Sequence, residues 1–208
     1  MKYTIIAAQS TDGIIAVDWK IPWWEDNALR KADLSRFVFM TTGGAVIMGR
    51  KTAEIIQKPL TGRLNIVLSR TRPSHVNRKD FSYFNGIGEM EMYLDSMCFD
   101  NVFVIGGGEV YRQFMEYPDT DKLEITTVCG DFNRGQCATF PFISVRQWNV
   151  MENERKKGDK FEYFFQSYQG KCMEKRHGID KNKELNDGKM EEFVNLIELW
   201  IKRETELV

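Results

Sequence analysis

The stretch from Ala45 to Thr52 reads AVIMGRKT, four apolar residues followed at once by a glycine, two basic residues and a threonine. A short continuous apolar run is typical of a strand that is buried on both faces of a sheet. The glycine lets a ligand approach the backbone, and a helix start after it offers free N–H groups to an anion. We therefore predict a buried strand at residues 45–48 and a phosphate-type site from Gly49 to Thr52, followed by a short helix at residues 52–57. The competing interpretation of that site is a solvated basic turn.

The alternation of strand and helix continues on both sides of this stretch. Further buried strands are predicted at residues 3–8, 64–68 and 102–105, and apolar residues at helical spacing predict helices at residues 29–41, 89–97 and 109–115. After about residue 122 the predicted strands, at residues 123–128, 148–152 and 161–168, have no helices between them. The last two are expected to form a hairpin across the charged turn at 153–160. The predicted fold class is α/β, with a mixed, mainly parallel central sheet and helices on both faces.

The last part of the chain differs in composition. Residues 170–188 are polar and are predicted to be a linker. From Lys189 onward the apolar residues fall at helical spacing, at Met190, Phe193, Val194, Ile197, Trp200 and Ile201. We therefore expect a domain over residues 1–169 and, over residues 170–208, a linker with a C-terminal amphipathic helix. That helix either docks on its own domain or mediates self-association.

Composition excludes several classes of protein. The chain has 208 residues, 42% of them apolar and 28% charged, and a formal net charge of −1. We expect no nucleic-acid partner because there is no basic excess, and no membrane association because no stretch approaches the roughly 20 apolar residues of a spanning helix. The N-terminus does not have the pattern of a signal peptide. The four cysteines form no CxxC pair and the two histidines have no partners at ligand spacing, so we predict no metal site and a cytoplasmic protein with reduced thiols.

Two further strand ends carry phosphate-type signals. Ser69 to Arg72, SRTR, follows the strand at 64–68, and a hydroxyl beside a guanidinium suits a phosphate monoester. Gly106, Gly107 and Gly108 separate a strand from a helix as a dinucleotide loop does, although they are not GxGxxG and lack the acid about 20 residues later. Because ligands of open α/β sheets bind at the carboxyl ends of the strands, the three signals reinforce one another.

The candidate acid is Asp33. On a helix Asp33 and Phe37 share a face, and a carboxylate at the border of an apolar face is costly unless it is paired or used. The competing interpretation is a surface acid that favours the helix dipole. Asp26 is a second candidate acid, and Thr126, inside a predicted strand, is a candidate hydrogen-bond partner.

A set of short motifs occurs along the chain in an order and spacing that together are highly specific. They are IAA at 6–8, GII at 13–15 leading to IPW at 21–23, DLxxF at 33–37, VIMGRKT at 46–52, PLTGRxN at 59–65, LSR at 68–70 and VIGGGxVY at 104–111. With these motifs the chain resembles the dihydrofolate reductase family from Tyr3 to about Tyr168.

The resemblance implies a reaction and a set of residues for it. The reaction is NADPH-dependent reduction of 7,8-dihydrofolate to 5,6,7,8-tetrahydrofolate, by hydride transfer to pterin C6 with protonation at N5. This reaction supports one-carbon metabolism and thymidylate synthesis, and the enzymes of the family are antifolate targets. The implied catalytic group is Asp33, which binds the amidine edge of the pterin, with Thr126 and Trp23.

The resemblance also implies the binding residues. For the substrate they are Ile6, Ala8, Leu34, Phe37, Ile56, Leu60, Arg63 and Ile105, of which Arg63 takes the glutamate α-carboxylate. For NADPH they are Ala8, Ile15, Gly49, Arg50, Lys51, Thr52, Leu68, Ser69, Arg70, Gly106, Gly107, Gly108, Glu109, Val110 and Tyr111. Among these, Arg50, Lys51, Ser69 and Arg70 favour the 2′-phosphate. Residues 14–24 resemble the mobile loop of the family, which closes over substrate and cofactor.

Departures from the family pattern keep other interpretations open. The segment between Trp23 and Asp33 is longer than in compact members, and unusual residues stand at Ala16, Ala53, Ile55 and 136–139. A pyrimidine reductase of riboflavin synthesis has a similar fold and also uses NADPH, but it would need neither the Asp33–Phe37 element nor Arg63. A reductase-like body that presents the C-terminal helix to a partner, without catalysis, is the alternative of a different class.

Overall fold

A computed structural model describes residues 1–18, 20–71 and 81–171 of the chain, apart from the side chain of Ile55. Its strands are β1 Tyr3–Ser10, β2 Ile14–Val17, β3 Ala45–Gly49, β4 Leu64–Leu68, β5 Ser82–Phe84, β6 Val102–Gly106, β7 Thr120–Val128, β8 Cys137–Thr139, β9 Trp148–Lys157 and β10 Glu162–Gly170. Its helices are α1 Asn27–Thr41, α2 Arg50–Ile56, α3 Ile87–Ser96 and α4 Gly108–Glu116.

Eight of these strands form one sheet in the order β5-β4-β3-β6-β1-β7-β10-β9. The neighbouring pairs from β5 to β7 are parallel, whereas β10 is antiparallel to both β7 and β9. Parallel neighbours need crossover connections, and the helices supply several of them. The predicted mixed, mainly parallel α/β sheet is confirmed. Because parallel strands run in the same direction, their last residues all lie on one side of the sheet, which is called the carboxyl edge below. These residues are Ser10, Gly49, Leu68 and Gly106.

The apolar runs are continuous because the sheet is buried on both faces. In β3, Ala45 and Ile47 belong to one core cluster, while Val46 and Met48 belong to another. Successive side chains of a strand point to opposite faces, so each cluster takes alternate residues of β3. All four residues are fully buried. Full burial of a single Val, Ile or Met side chain contributes about 1.5–3 kcal/mol to folding, which is why a polar residue here would be costly.

Three short strands were not predicted. β2 lies inside the segment expected to be a mobile loop, and it pairs antiparallel with β8 in a separate two-stranded sheet. Ile14 and Ile15 are buried there, so this half of the expected loop is part of the packed structure. β5 adds to the edge of the large sheet beside β4. At three or four residues each, these strands are too short for a periodicity to be recognised.

The expected charged turn at 153–160 was largely wrong. β9 continues through Lys157, and only residues 158–161 connect it to β10. β9 is the edge strand of the sheet and most of its side chains are exposed, so its charged residues face solvent and protect the edge from pairing with another chain. The start of α2 was also predicted two residues late, because Arg50 and Lys51 are already helical.

Two predictions lie outside the described residues. They are the linker with the amphipathic helix from Lys189, and Arg72 of the second phosphate-type signal. β10 extends to Gly170, and the backbone N–H of Lys171 donates to the carbonyl of Gln147 at 2.9 Å, so the body of the protein includes residue 171. Among the helices in the described ranges, none has the length and apolar character needed to cross a membrane.

Candidate active site

The acid of the candidate site is Asp33, which lies in α1 and meets β7. The hydroxyl of Thr126 donates a hydrogen bond to Oδ1 of Asp33. Thr126 is buried in the carboxyl-terminal half of β7, where it pairs with Ala8 of β1. Burial raises the pKa of the Asp33 carboxyl, while the Thr126 hydrogen bond and the charge of Arg36 oppose the rise. The structure therefore brings together an acid and a hydroxyl that are 93 positions apart in the sequence.

The second candidate acid, Asp26, has different surroundings. It is the N-cap of α1 and accepts a hydrogen bond from the backbone N–H of Leu29 at 2.9 Å. Its carboxylate also accepts from the backbone N–H groups of Asp159 at 2.9 Å, Lys160 at 2.8 Å and Phe161 at 2.9 Å. Burial acts to raise the pKa of Asp26, but the backbone hydrogen bonds outweigh it and the net shift is downward. A carboxylate has about four acceptor positions, so this carboxylate is fully used within the fold.

The apolar residues expected to hold the substrate gather in one buried cluster. Ile6, Ile56, Leu60 and Ile105 belong to it, and Phe37 packs against it. Phe37 lies one helical turn after Asp33, so the acid and the cluster share a face of α1. Leu34, on the same helix, is partly buried. The arrangement offers an apolar wall with a carboxylate at its border, which suits a flat ring with one polar edge.

The carbonyl of Ile6 joins the expected substrate and cofactor residues. It accepts a hydrogen bond from the hydroxyl of Tyr111 at 2.9 Å. Tyr111 is buried in α4, and its pKa is raised by burial and, to a smaller extent, by the negative charge of Asp33. Tyr111 was expected to bind the cofactor and Ile6 the substrate. Their direct contact indicates that the two expected binding regions adjoin at β1.

Arg63 lies in the turn before β4, and Asn65 organises that turn. The Asn65 amide donates to the carbonyls of Leu60 and Arg63 at 2.9 Å each, and its Oδ1 accepts from the N–H of Leu60 at 2.9 Å. The guanidinium of Arg63 lies 5.4 Å from the ring centroid of Phe37 and donates to Oγ1 of Thr42 at 3.2 Å. The turn thus holds a cation beside the apolar wall, where an anionic end of a ligand could bind.

Two of the three phosphate-type signals meet directly. The hydroxyl of Thr52, near the start of α2, accepts a hydrogen bond from the N–H of Gly107 at 3.0 Å, just before α4. Gly49 approaches α4 so closely that a Cβ there would lie 3.2 Å from a methyl carbon of Val110. Gly106 has φ of 123°, which a residue with a side chain rarely adopts. The glycines therefore allow the N-termini of α2 and α4 to lie side by side at the carboxyl edge of the sheet.

The third signal lies at the end of the neighbouring strand, since Leu68 pairs with Gly49 in the register of β4 and β3. Ser69 uses its hydroxyl locally, accepting from the backbone N–H of Thr71 at 3.2 Å, whereas Arg70 is exposed. In α2, Arg50 pairs with Glu54 at 2.7 Å and Lys51 is exposed. The basic residues expected near a phosphate therefore line two adjacent strand ends, but Arg50 already has an acidic partner.

Several expected site residues make packing or surface contacts in the structure. Trp23 is buried and packs edge-on against Phe132, with ring centroids 5.4 Å apart. It belongs to a cluster with Leu29 rather than to the cluster that receives Phe37. Ile15 is fully buried in β2, and Ala8 is partly buried in β1. Glu109 is exposed in the first turn of α4 and pairs with Arg112 at 3.4 Å.

The sequence analysis missed an ion pair beside the acid. The guanidinium of Arg36 lies 2.5 Å from the carboxylate of Glu124, and both side chains are largely shielded from solvent. The spacing contained a signal for it: Arg36 follows Asp33 by three residues on a helix, and Glu124 precedes Thr126 by two on a strand. Each member therefore shares a face with a residue of the expected catalytic pair.

The groups that could bind a metal ion were compared over the described residues. Within the described ranges there is no cluster of three or more His, Cys, Asp or Glu side chains arranged to hold a metal ion. The described cysteines Cys98, Cys129 and Cys137 are free thiols.

Together the fold and the site define a class of protein. It is an α/β protein whose parallel sheet presents glycine turns and basic residues at one edge, next to an acid–hydroxyl pair at an apolar wall. Comparison with known proteins identifies the family: the family model for dihydrofolate reductase matches residues 2–170. The chain belongs to the dihydrofolate reductase family.

Individual relatives agree with this assignment. A dihydrofolate reductase of Haemophilus influenzae is 35% identical over 162 residues, which cover 77% of this chain and 91% of the relative. One of Bacillus subtilis is 29% identical over 181 residues, covering 85% of this chain and 99% of the relative. A bifunctional dihydrofolate reductase-thymidylate synthase of Daucus carota is 34% identical over 139 residues, which are 61% of this chain but only 26% of that longer protein.

Proposed function

We propose that this chain is an oxidoreductase that reduces 7,8-dihydrofolate to 5,6,7,8-tetrahydrofolate with NADPH as the hydride donor. Membership of the dihydrofolate reductase family supports the reaction. The single observation that carries it within this chain is the hydrogen bond from Thr126 to Asp33 at the border of the apolar cluster. This is the chemistry that a pterin requires, because its ring is flat and apolar on its faces and has one amidine edge with N–H donors.

Asp33 holds the pterin and helps to protonate it. Its carboxylate oxygens accept hydrogen bonds from the amidine edge, while the Thr126 hydroxyl fixes the orientation of Oδ1. Because burial raises the pKa of Asp33, the acid keeps a proton to a higher pH than an exposed aspartate does. A bound pterin next to this acid becomes easier to protonate, with water as the immediate donor to N5. The apolar wall of Ile6, Phe37, Ile56 and Leu60 excludes bulk water from the ring.

The residues at the carboxyl edge of the sheet fit a dinucleotide. Gly49 and Gly106 allow the N-termini of α2 and α4 to lie close together, and these N-termini would offer N–H groups to a pyrophosphate. Ser69, Arg70, Arg50 and Lys51 would hold the 2′-phosphate, which favours NADPH over NADH. When bound, the nicotinamide supplies the hydride, and the chain contributes position and electrostatics.

The benzoylglutamate portion of the substrate has a matching cation. Arg63 lies at the edge of the apolar wall, and the Asn65 amide fixes its turn. A guanidinium binds a carboxylate through two parallel hydrogen bonds, so Arg63 would take the glutamate α-carboxylate. The proposed compartment is the cytoplasm, where free thiols such as Cys98, Cys129 and Cys137 stay reduced.

The decisive test is absorbance at 340 nm with NADPH and dihydrofolate, for the wild-type chain and for Asp33→Asn. We expect NADPH oxidation by the wild type and a loss of at least about a hundredfold in the variant, because the amide neither carries the charge nor shares the proton. Asp26→Asn is the matched control, since Asp26 is a fold-internal acid; its activity per folded molecule should be close to that of the wild type. NADPH binding without oxidation by the wild type would contradict the proposed reaction.

A further inference from the structure

Helix α1 and strand β7 are joined by two polar bridges side by side. In the first, the hydroxyl of Thr126 donates to Asp33. In the second, the guanidinium of Arg36 lies 2.5 Å from Oε2 of Glu124. Arg36 follows Asp33 by three residues on α1, and Glu124 precedes Thr126 by two on β7. Both bridges therefore join the same face of the helix to the same face of the strand. Among the described residues, Arg36 is the cation that acts on Asp33, and Glu124 is the charged residue nearest to Thr126 along β7.

The ion pair is held in a shielded position. The exposed fractions of the Arg36 and Glu124 side chains are 17% and 13%. The guanidinium carbon of Arg36 lies 4.9 Å from the ring centroid of Phe165 in β10, a cation–π contact. Phe165 pairs with Thr126 in the β10–β7 register, so its side chain lies on the same face of the sheet as Thr126. Because solvent screens shielded charges poorly, the charge on each member reaches its neighbours more strongly than that of a surface pair.

We propose that Arg36 and Glu124 form a positioning pair that docks the Asp33-bearing turn of α1 on β7 and sets how much of the Arg36 charge acts on Asp33. The inference rests on the proposed function for its catalytic consequence, but its electrostatic part concerns the protein alone. In this arrangement Arg36 favours the ionised form of Asp33, and Glu124 neutralises part of that effect. The pair thus sets how readily Asp33 loses its proton.

The groups around Asp33 are consistent with this role. From α1 the facing charge is Arg36, and from β7 the facing groups are the Thr126 hydroxyl and, beyond it, Glu124. From α4 and β10 the facing titratable groups are Tyr111 and Tyr163, whose pKa values are raised first by burial and also by Asp33. Both tyrosines are neutral at physiological pH. Arg36 is the cation that acts on Asp33 in the described part of the chain.

Glu124 has neighbours of both signs. Burial raises the pKa of its carboxyl, Arg36 lowers it, Glu152 on the edge strand β9 raises it, and Lys122 on β7 lowers it. The contact with Arg36 therefore opposes the rise that burial causes in the pKa of Glu124. Removal of Glu124 leaves the Arg36 charge unneutralised, whereas removal of Arg36 takes that charge away. The two removals should therefore shift the pKa of Asp33 in opposite directions.

The test is a titration of Asp33 in the full chain, read from the ¹³C shift of its side-chain carboxyl and assigned with Asp33→Asn. In Glu124→Gln the Arg36 charge is no longer neutralised, so the pKa of Asp33 should fall by roughly half a unit to one unit. In Arg36→Met it should rise by a similar amount, and in Arg36→Lys it should stay closer to the wild-type value. The double variant Arg36→Met/Glu124→Gln should lie between the two single variants. A purely structural role of the pair would not produce shifts of opposite sign.

The pH profile of kcat/KM gives the catalytic readout. Its Asp33-dependent limb should move to lower pH in Glu124→Gln and to higher pH in Arg36→Met. Shifts in the same direction, or no shift in Glu124→Gln, overturn the proposal. Should Arg36→Met fail to fold, the near-isosteric Glu124→Gln decides alone. Opposite ¹³C shifts in a chain that does not oxidise NADPH with dihydrofolate would support the pair and refute the proposed function, so the two failures are distinguishable.

Discussion

The carboxylate of Asp26 accepts a hydrogen bond from the backbone N–H of Phe161 at 2.9 Å, across 135 positions of the sequence. The same carboxylate caps α1 through Leu29 and accepts two more N–H groups of the β9–β10 turn. In return, the side chain of Asp159 accepts from the N–H of Ala28 at 3.1 Å. One buried aspartate therefore fastens the start of the helix that carries Asp33 to the end of the large sheet.

Asp26→Asn is expected to destabilise the fold by about 3 kcal/mol, because the negative charge is lost and an NH₂ group replaces one carboxylate oxygen, which leaves two backbone N–H donors without an acceptor. The folded-state pKa of Asp26 is lowered, so its contribution is fully present above the pKa of the unfolded carboxyl and is lost as the pH falls through the folded value. Urea unfolding of both proteins should show a gap that is large at neutral pH and narrows in acid. In Asp159→Asn, the matched control on the exposed side of the same contact, the loss should stay under about 1 kcal/mol. An equal loss in both variants would contradict the special role of Asp26.

The glycine opposite this carboxylate should be intolerant of any side chain. A Cβ at Gly158 would lie 2.6 Å from Oδ1 of Asp26 and closer still to Oδ2, so Gly158→Ala must displace the buried carboxylate or the turn. We expect a loss of about 2 kcal/mol or more in unfolding free energy. At Gly88, in the first turn of α3, a Cβ would meet nothing within 4 Å. Gly88→Ala is therefore expected to be neutral or to stabilise by about 0.5 kcal/mol, since alanine restricts the unfolded chain. A loss of stability in Gly88→Ala would contradict the expectation that a side chain fits at this position without a clash.

The sequence predicted what depends on near neighbours and missed what depends on distant ones. The strand at residues 45–48 and the shared face of Asp33 and Phe37 follow from local spacing, and both agree with the structure. The pairing of β2 with β8 joins segments more than a hundred residues apart, and neither is long enough to have a periodicity of its own. The role of Asp26 was open for the same reason, because three of its four donors come from the other end of the domain.

The catalytic group shows the same division. Asp33 and Thr126 were paired through the resemblance, whereas the spacing of Thr126 alone indicated only a strand threonine. Trp23 was expected in the catalytic group, and its assignment stays a prediction, although the ring packs against Phe132 in a separate cluster. The spacing indicates the Arg36–Glu124 pair only once Asp33 and Thr126 are known to meet, because the contact of α1 with β7 is a tertiary one.

Truncation after Lys171 should leave the activity largely intact. Lys171 is the last described residue, and it is held by its N–H to Gln147 and by its ammonium to the carbonyl of Val145 at 2.7 Å. The expected active-site residues all precede it. We expect kcat and KM to change less than about twofold, and cooperative unfolding to persist. Comparison of the two chains by light scattering also tests whether residues 172–208 mediate self-association. Loss of most activity in a truncated protein that still unfolds cooperatively would contradict the prediction.

Thr126→Val removes the hydroxyl that orients Asp33 while keeping nearly the same shape. Hydrogen bonds to charged groups contribute about 1.5–3 kcal/mol, so kcat/KM should fall by roughly tenfold to a hundredfold. Because the Thr126 hydrogen bond lowers the pKa of Asp33, its removal should also move the Asp33 limb of the pH profile to higher pH. Thr126→Ser retains the hydroxyl and should stay within about threefold of the wild type. Equal losses in the serine and valine variants would indicate packing, rather than the hydrogen bond, as the cause.

Cofactor preference should depend on the exposed arginine at the end of β4. Arg50 already pairs with Glu54 at 2.7 Å, whereas Arg70 is exposed next to the Ser69 turn, so Arg70 is the better placed of the two to meet a 2′-phosphate. In Arg70→Gln we expect the KM for NADPH to rise by roughly tenfold to a hundredfold and the KM for NADH to stay unchanged, because NADH lacks that phosphate. The wild-type KM for NADPH should also rise with salt, and this dependence should weaken in the variant. Arg146→Gln, at an exposed arginine before β9, is the charge-matched control and should leave both constants unchanged. A parallel rise in both KM values in Arg70→Gln would mean that Arg70 supports the pocket as a whole, and the preference for NADPH would then have to come from Arg50 or Lys51.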